Sequence, residues 1–150
     1  MAQMVQNTSQ SRFGEFKLSE FQQDSKDCIE RDENVMVMAH TGTGKTLIAM
    51  IAIEYGLECI ENNRKDTNIS NKTKQRIIYT TPVKALSNEK CAVLRRKFGD
   101  EEVGIMTGDV RSNIDATILV MTAEVLRNLL VSNDDIVQDL FCIIMDEVHY

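Results

Sequence analysis

Two stretches carry residues whose types and order can do chemistry on a phosphate. The first is Ala39-His40-Thr41-Gly42-Thr43-Gly44-Lys45-Thr46. An apolar run, Val35-Met36-Val37-Met38, precedes it, and Leu47-Ile48-Ala49-Met50-Ile51-Ala52-Ile53 follows. The order reads as strand, glycine loop, helix, the pattern of a loop that binds nucleoside triphosphates. Gly42 and Gly44 let the backbone curl until successive N–H groups converge on a phosphate. The helix that follows points the positive end of its dipole at the same place. Lys45 adds a mobile charge for the terminal phosphates, and the Thr46 hydroxyl is suited to Mg²⁺. His40, Thr41 and Thr43 complete the expected nucleotide-binding loop. Its first position is Ala39 where the strict pattern has glycine, and a methyl group fits there if φ is negative.

The second stretch is Ile143-Ile144-Met145-Asp146-Glu147, an apolar strand ending in two carboxylates. In open α/β sheets ligands bind beyond the carboxyl ends of the strands. Asp146 there would hold Mg²⁺, partly through water, and Glu147 would polarise an attacking water. Alone, the pair reads equally as a solvated acidic turn. The phosphate loop upstream favours the catalytic reading, with Lys45, Asp146 and Glu147 as its centre.

These residues need elements to position them. Ser19-Glu20-Phe21-Gln22 has capping-box spacing and predicts a helix running to about Arg31, with Phe21, Ser25, Cys28 and Ile29 on one face. A first strand is predicted at Asn34–Met38. The helix after the loop is apolar almost all round, as a buried helix is, and reaches about Ile60 unless Gly56 ends it early. Residues 61–75 are polar and predict a long exposed loop. Four further strands are predicted, at Arg76–Thr81, Val103–Thr107, Thr117–Met121 and Phe141–Met145. Helices between them fall at Leu86–Phe98, Ala123–Val131 and Asp134–Gln138. Short strands apolar on both faces, alternating with helices, predict an α/β fold with a parallel sheet covered on both sides.

Composition narrows the class. A chain of 150 residues that is 43% hydrophobic makes at most one domain with a sizeable core. Its four cysteines are far apart and read as reduced thiols, and its two histidines, His40 and His149, form no metal-ligand spacing with them. The first 20 residues lack the apolar core of a secretory signal, and residues 1–15 read as a mobile polar tail. An intracellular protein of the nucleus or cytoplasm is expected. The net charge of −6 by itself argues against a nucleic-acid partner.

Taken together, Ala39–Thr46 and Asp146-Glu147-Val148-His149-Tyr150 resemble the motifs of superfamily 2 helicases. The pattern is most similar to DExH-box RNA helicases of the superkiller and exosome-cofactor type. Phe21-Gln22 with Cys28-Ile29-Glu30-Arg31 is similar to their adenine-reading segment. Thr81-Pro82-Val83-Lys84-Ala85-Leu86-Ser87-Asn88 resembles their motif Ia. Met106-Thr107-Gly108-Asp109-Val110 and Met121-Thr122-Ala123-Glu124-Val125-Leu126-Arg127 resemble the next two blocks. The resemblance implies a RecA-like fold, of which residues 16–150 would be the first half of the first such domain. It implies ATP and Mg²⁺ as cofactors, RNA with a single-stranded 3′ tail as substrate, and the RNA exosome as a possible partner.

The resemblance also distributes roles. Gln22 would read the adenine edge, with a surface capping-box role as the lesser alternative. Thr81, Pro82, Lys84, Gly108, Asp109, Thr122 and Arg127 would line the nucleic-acid track. A translocase gripping the backbone with hydroxyls, N–H groups and a few cations needs no large positive field. Arg95-Arg96-Lys97 reads more simply as a solvated helix end. His149 would couple ATP to nucleic acid or to a second domain, or be structural. Departures from the family pattern are Gly42 and Thr43 within the loop, Glu89 after Asn88, and Ala123 after Thr122. The strand ending at Asp146 lies so near Tyr150 that a piece of a longer protein is expected, with weak or no ATP hydrolysis from residues 1–150 alone. A DNA-directed translocase or repair helicase of the same superfamily, and a non-catalytic nucleotide-binding fragment, are the alternative readings.

Overall fold

In the computed structural model, residues 17–65 and 75–149 are described. The expected tail at 1–15, Tyr150 and the centre of the predicted 61–75 loop lie outside them. The chain opens with α1 (Glu20–Glu30) and α2 (Lys45–Lys65). It continues as β1 (Arg76–Thr81), α3 (Lys84–Phe98), β2 (Val103–Met106), β3 (Arg111–Ser112) and β4 (Ile118–Thr122). Then come α4 (Ala123–Ser132), α5 (Asp135–Gln138) and β5 (Leu140–Met145).

The strands form one five-stranded sheet in the order β3-β2-β4-β1-β5. Four of them run parallel, and the two-residue β3 pairs antiparallel with β2. Every residue of β1, β2 and β4 is buried, because helices cover both faces. Ile77 and Tyr79 of β1 join Met50, Ile53 and Ile60 of α2 and Cys91 and Leu94 of α3 in one core. Ile78, pointing the other way as strand alternation requires, joins Leu119, Met121, Leu126 and Leu129 on the α4 side. The α/β class expected from the alternating pattern is the observed one, and the four later strands match their predicted places to within a residue. Among the described residues no helix is long and apolar enough to cross a membrane.

Four expectations are corrected. Gly56 does not end α2, which runs on to Lys65 and takes up the first part of the predicted 61–75 loop. Gly56 instead lies close against the sheet: a Cβ there would lie 2.9 Å from Ile77 Cδ1 and 3.4 Å from Phe141 Cδ1. Gln22, absent from the face that groups Phe21, Ser25, Cys28 and Ile29, is buried together with Ser25. The short β3 was not foreseen, since two exposed residues carry no periodicity.

The fourth correction is the largest. Asn34–Met38 is not a strand. Val35, Met36 and Met38 are 37%, 76% and 86% exposed, and the sheet ends at β5. An apolar run sets what a segment is able to bury. A strand also needs a neighbour to satisfy its N–H and C=O groups, and among the described residues none pairs with this segment.

Candidate nucleotide site

The glycine loop takes the conformation its sequence demands. Gly42 and Gly44 have φ of +85° and +92°, the region that other residues avoid. Thr43 Oγ1 donates to the His40 carbonyl at 2.7 Å, closing the turn. Lys45 Nζ lies back across the loop, donating to the carbonyls of Ala39 at 2.7 Å and His40 at 3.0 Å. Those carbonyls hold the ammonium within the loop. α2 starts at Lys45 with no acidic residue in its first turn, so its positive end has no carboxylate of its own.

Gln22 is part of this loop in a way the sequence did not reveal. Its Oε1 accepts from the Ser19 N–H at 3.0 Å, capping α1. Its Nε2 donates to the Thr43 carbonyl at 3.3 Å. The capping bond expected from the sequence is present, and the same carboxamide also braces the glycine loop. α1 packs on α2, which brings the two segments together.

Asp146 follows the last residue of β5, and its N–H donates to the Thr80 carbonyl at 3.0 Å, extending the pairing with β1. Oδ2 accepts from Tyr79 Oη at 2.8 Å and forms an ion pair with Lys90 Nζ at 3.1 Å. Oδ1 accepts from the Glu147 N–H at 3.1 Å. Glu147 sits at φ +54°, and His149 Nδ1 lies 3.4 Å from Glu147 Oε2. Burial, and next the Asp146 carboxylate, push the Tyr79 phenol well above its ordinary range, so it is the donor in its bond to Asp146. Tyr79 and Lys90 belong to neither predicted motif. Two signals pointed to them: a phenol flanked by isoleucines and threonines in a buried strand needs a buried partner, and Lys90 falls on the α3 stripe of Ser87, Cys91 and Leu94, which is buried.

Because the strands are parallel, their carboxyl ends share one edge of the sheet. That edge gathers Thr81, Pro82 and Lys84 after β1, Gly108 and Asp109 after β2, Thr122 and Arg127 after β4, and Asp146 and Glu147 after β5. Lys84 Nζ pairs with Asp109 and lies 3.6 Å from where a Gly108 Cβ would be. The pair bridges the ends of β1 and β2, which flank β4. Thr81 and Thr122 spend their hydroxyls internally. Thr81 Oγ1 bonds Ser87 Oγ at 2.7 Å and the Val83 carbonyl at 3.1 Å, and Thr122 Oγ1 caps α4 by accepting from the Val125 N–H. Arg127 is exposed.

The donor set suits Mg²⁺. Thr46 and Asp146 offer hard oxygens, one of them a carboxylate, and Mg²⁺ is usually held by one or two carboxylates, with water and phosphate completing its shell. Among the described residues there is no cluster of three or more His, Cys, Asp or Glu that would cage a metal by itself.

A glycine loop opening a helix, packed against a mostly parallel sheet whose carboxyl edge bears an Asp-Glu turn, defines an α/β nucleotide-binding unit of the phosphate-loop class. The chain belongs to the DEAD/DEAH box helicases, whose family model matches residues 19–150. It is 46% identical over 135 residues to the ATP-dependent RNA helicase mtr4 of Schizosaccharomyces pombe, covering 90% of this chain and 11% of that protein. It is 39% identical to the human exosome RNA helicase MTR4 and to the Saccharomyces cerevisiae antiviral helicase SKI2, again over 90% of this chain but 11% and 9% of theirs. The chain thus spans about a tenth of the length of these relatives. The crystal structure of the DUF1998 helicase MrfA bound to DNA and AMPPNP shares the fold, with a TM-score of 0.69 at 20% identity, covering 91% of this chain and 19% of that one.

Proposed function

We propose that this chain supplies the ATP-binding part of an ATP-dependent RNA helicase, in which residues 16–150 begin a RecA-like domain. The observation that carries the reading is the seating of the phosphate loop's own helix on the Asp146 strand: Gly56 of α2 meets Phe141 of β5. One rigid packing contact thus ties the loop that grips phosphate to the turn that offers carboxylates. Similarity to relatives named as RNA helicases supports RNA as the polymer.

Lys45 and the loop N–H groups hold the phosphates, with His40, Thr41, Gly42, Thr43 and Gly44 shaping the cradle. Thr46 and Asp146 hold Mg²⁺, which supplies charge neutralisation on the transferring phosphate. Glu147 orients water. Gln22 reads adenine, and to do so it exchanges its Thr43 and Ser19 partners for the base. His149, beside Glu147, couples this site to RNA or to a second domain. RNA runs across the carboxyl edge of the sheet. There Lys84 trades Asp109 for a phosphate, Arg127 meets another, and Thr81, Pro82, Gly108 and Thr122 shape the strand exits. A single-stranded 3′ tail as substrate, 3′ to 5′ stepping, work beside the exosome and a place in the nucleus or cytoplasm complete the proposal.

The test is RNA-stimulated ATP hydrolysis by the full-length protein, with matched RNA and DNA strands compared. We expect RNA to stimulate more than DNA. Lys45→Ala should abolish turnover, and Glu147→Gln should cut kcat by about 100-fold or more while ATP still binds. Equal stimulation by DNA would favour a DNA-directed translocase, and absence of ATP binding would favour a non-catalytic role.

A further inference from the structure

Asp146 is gripped by two side chains that lie in neither chemical motif. Tyr79 reaches it from β1 and Lys90 from α3, and both act on the same oxygen, Oδ2, at 2.8 and 3.1 Å. Among the described residues, Oδ1 keeps only the N–H of the adjacent Glu147, at 3.1 Å. We propose that Lys90 and Tyr79 are positioning residues that lock the Asp146 carboxylate in one rotamer, with Oδ1 as the oxygen offered to Mg²⁺. The proposal rests on the reading of Asp146 as a metal ligand.

Three observations favour a fixed clamp over an incidental surface pair. The Lys90 and Asp146 side chains are only 18% and 21% exposed, against 53% and 72% for Lys84 and Asp109. Exposed pairs contribute little, whereas a shielded charge-assisted bond orients its partner firmly. Tyr79 is 1% exposed, so its ring is packed in place and its hydroxyl oxygen stays beside Asp146. The backbone of Asp146 is itself fixed through its N–H to Thr80.

Both clamps acting on Oδ2 also separates positioning from competition. A lysine that merely stood in for the metal would have to be displaced from the ligating oxygen, and its removal would tighten metal binding. A lysine that holds the other oxygen stays in place, and its removal frees the carboxylate to rotate. Partners that orient a metal ligand are worth about 10–100-fold in metal affinity.

The experiment uses the full-length protein and a fluorescent, non-hydrolysable ATP analogue, with binding measured as Mg²⁺ is titrated. Lys90→Met should raise the Mg²⁺ concentration for half-maximal binding by about tenfold. The affinity for the analogue in EDTA should not change. Lys90→Arg should restore most of the metal dependence, and Tyr79→Phe, which removes only the hydroxyl, should raise the Mg²⁺ requirement by about threefold or more. If Lys90→Met does not fold, the Tyr79→Phe titration decides alone. A Mg²⁺ requirement within about twofold of wild type, or below it, in the folded variants would overturn the clamp. A wild-type protein whose analogue binding ignores Mg²⁺ would overturn both the clamp and the metal-ligand reading of Asp146. Unchanged variants of a Mg²⁺-dependent wild type would overturn the clamp alone.

Discussion

Gly44 answers two demands at once. Its φ of +92° is costly for any side-chain-bearing residue, and a Cβ there would lie 2.5 Å from Gln22 Nε2. Gly42 shares the first demand only, since nothing lies within 4 Å of its position. Alanine at either site should therefore cost about 1–3 kcal/mol of strain. Gly44→Ala should in addition push Gln22 off Thr43. The pair is separable by a double-mutant cycle read by nucleotide affinity and thermal midpoint. Gln22→Ala should relieve part of the Gly44→Ala defect and none of the Gly42→Ala defect. Equal behaviour of the two glycines would mean that Gln22 does not support the loop. The spacing of the glycines was plain in the sequence, because local backbone geometry depends on local residues. The pairing of Gln22 with Thr43, 21 positions apart, was not.

Among the elements, α2 carries the candidate site. It begins in the phosphate loop, and its middle lies against β1 and β5 where Gly56 leaves room for Ile77 and Phe141. Gly56→Val should force the helix away from the sheet and destabilise the protein by about 1–3 kcal/mol. It should also weaken ATP binding although residue 56 is far along the helix from the loop. Chemical denaturation and nucleotide titration of the same variant would check both, and an unchanged ATP affinity would separate the packing from the site. The same glycine read in sequence as a possible helix end, because a mid-helix glycine is unfavourable in isolation. The packing against the sheet decided otherwise. Asn34–Met38 shows the converse: among the described residues no neighbour pairs with this strand-like run, and it is no strand.

At the scale of the molecule, one core joins three groups whose ionisation burial opposes. Cys142 is pushed up to about 11 from 9.0 chiefly by burial, and burial raises Cys91 and Tyr79 as well. The unfolded chain releases these protons first. The stability they contribute is therefore whole below about pH 9 and is lost as pH climbs through the folded values. The thermal midpoint should fall from pH 9 to 11, and less steeply in Cys142→Ala than in wild type. Parallel slopes would remove Cys142 from the account.

What the sequence determined alone was the fold class and the candidate residues: a glycine loop opening a helix, a strand ending in two carboxylates, and strands apolar on both faces alternating with helices. These are readable because each is set by neighbours along the chain. Only the tertiary structure decided that Tyr79 and Lys90 hold Asp146, that Gln22 braces the loop, that Lys84 meets Asp109, and that Asn34–Met38 stays outside the sheet. Tyr79 and Asp146 are 67 positions apart and touch because β1 and β5 are adjacent. Strand adjacency is a property of how the whole chain packs, and no local spacing encodes it.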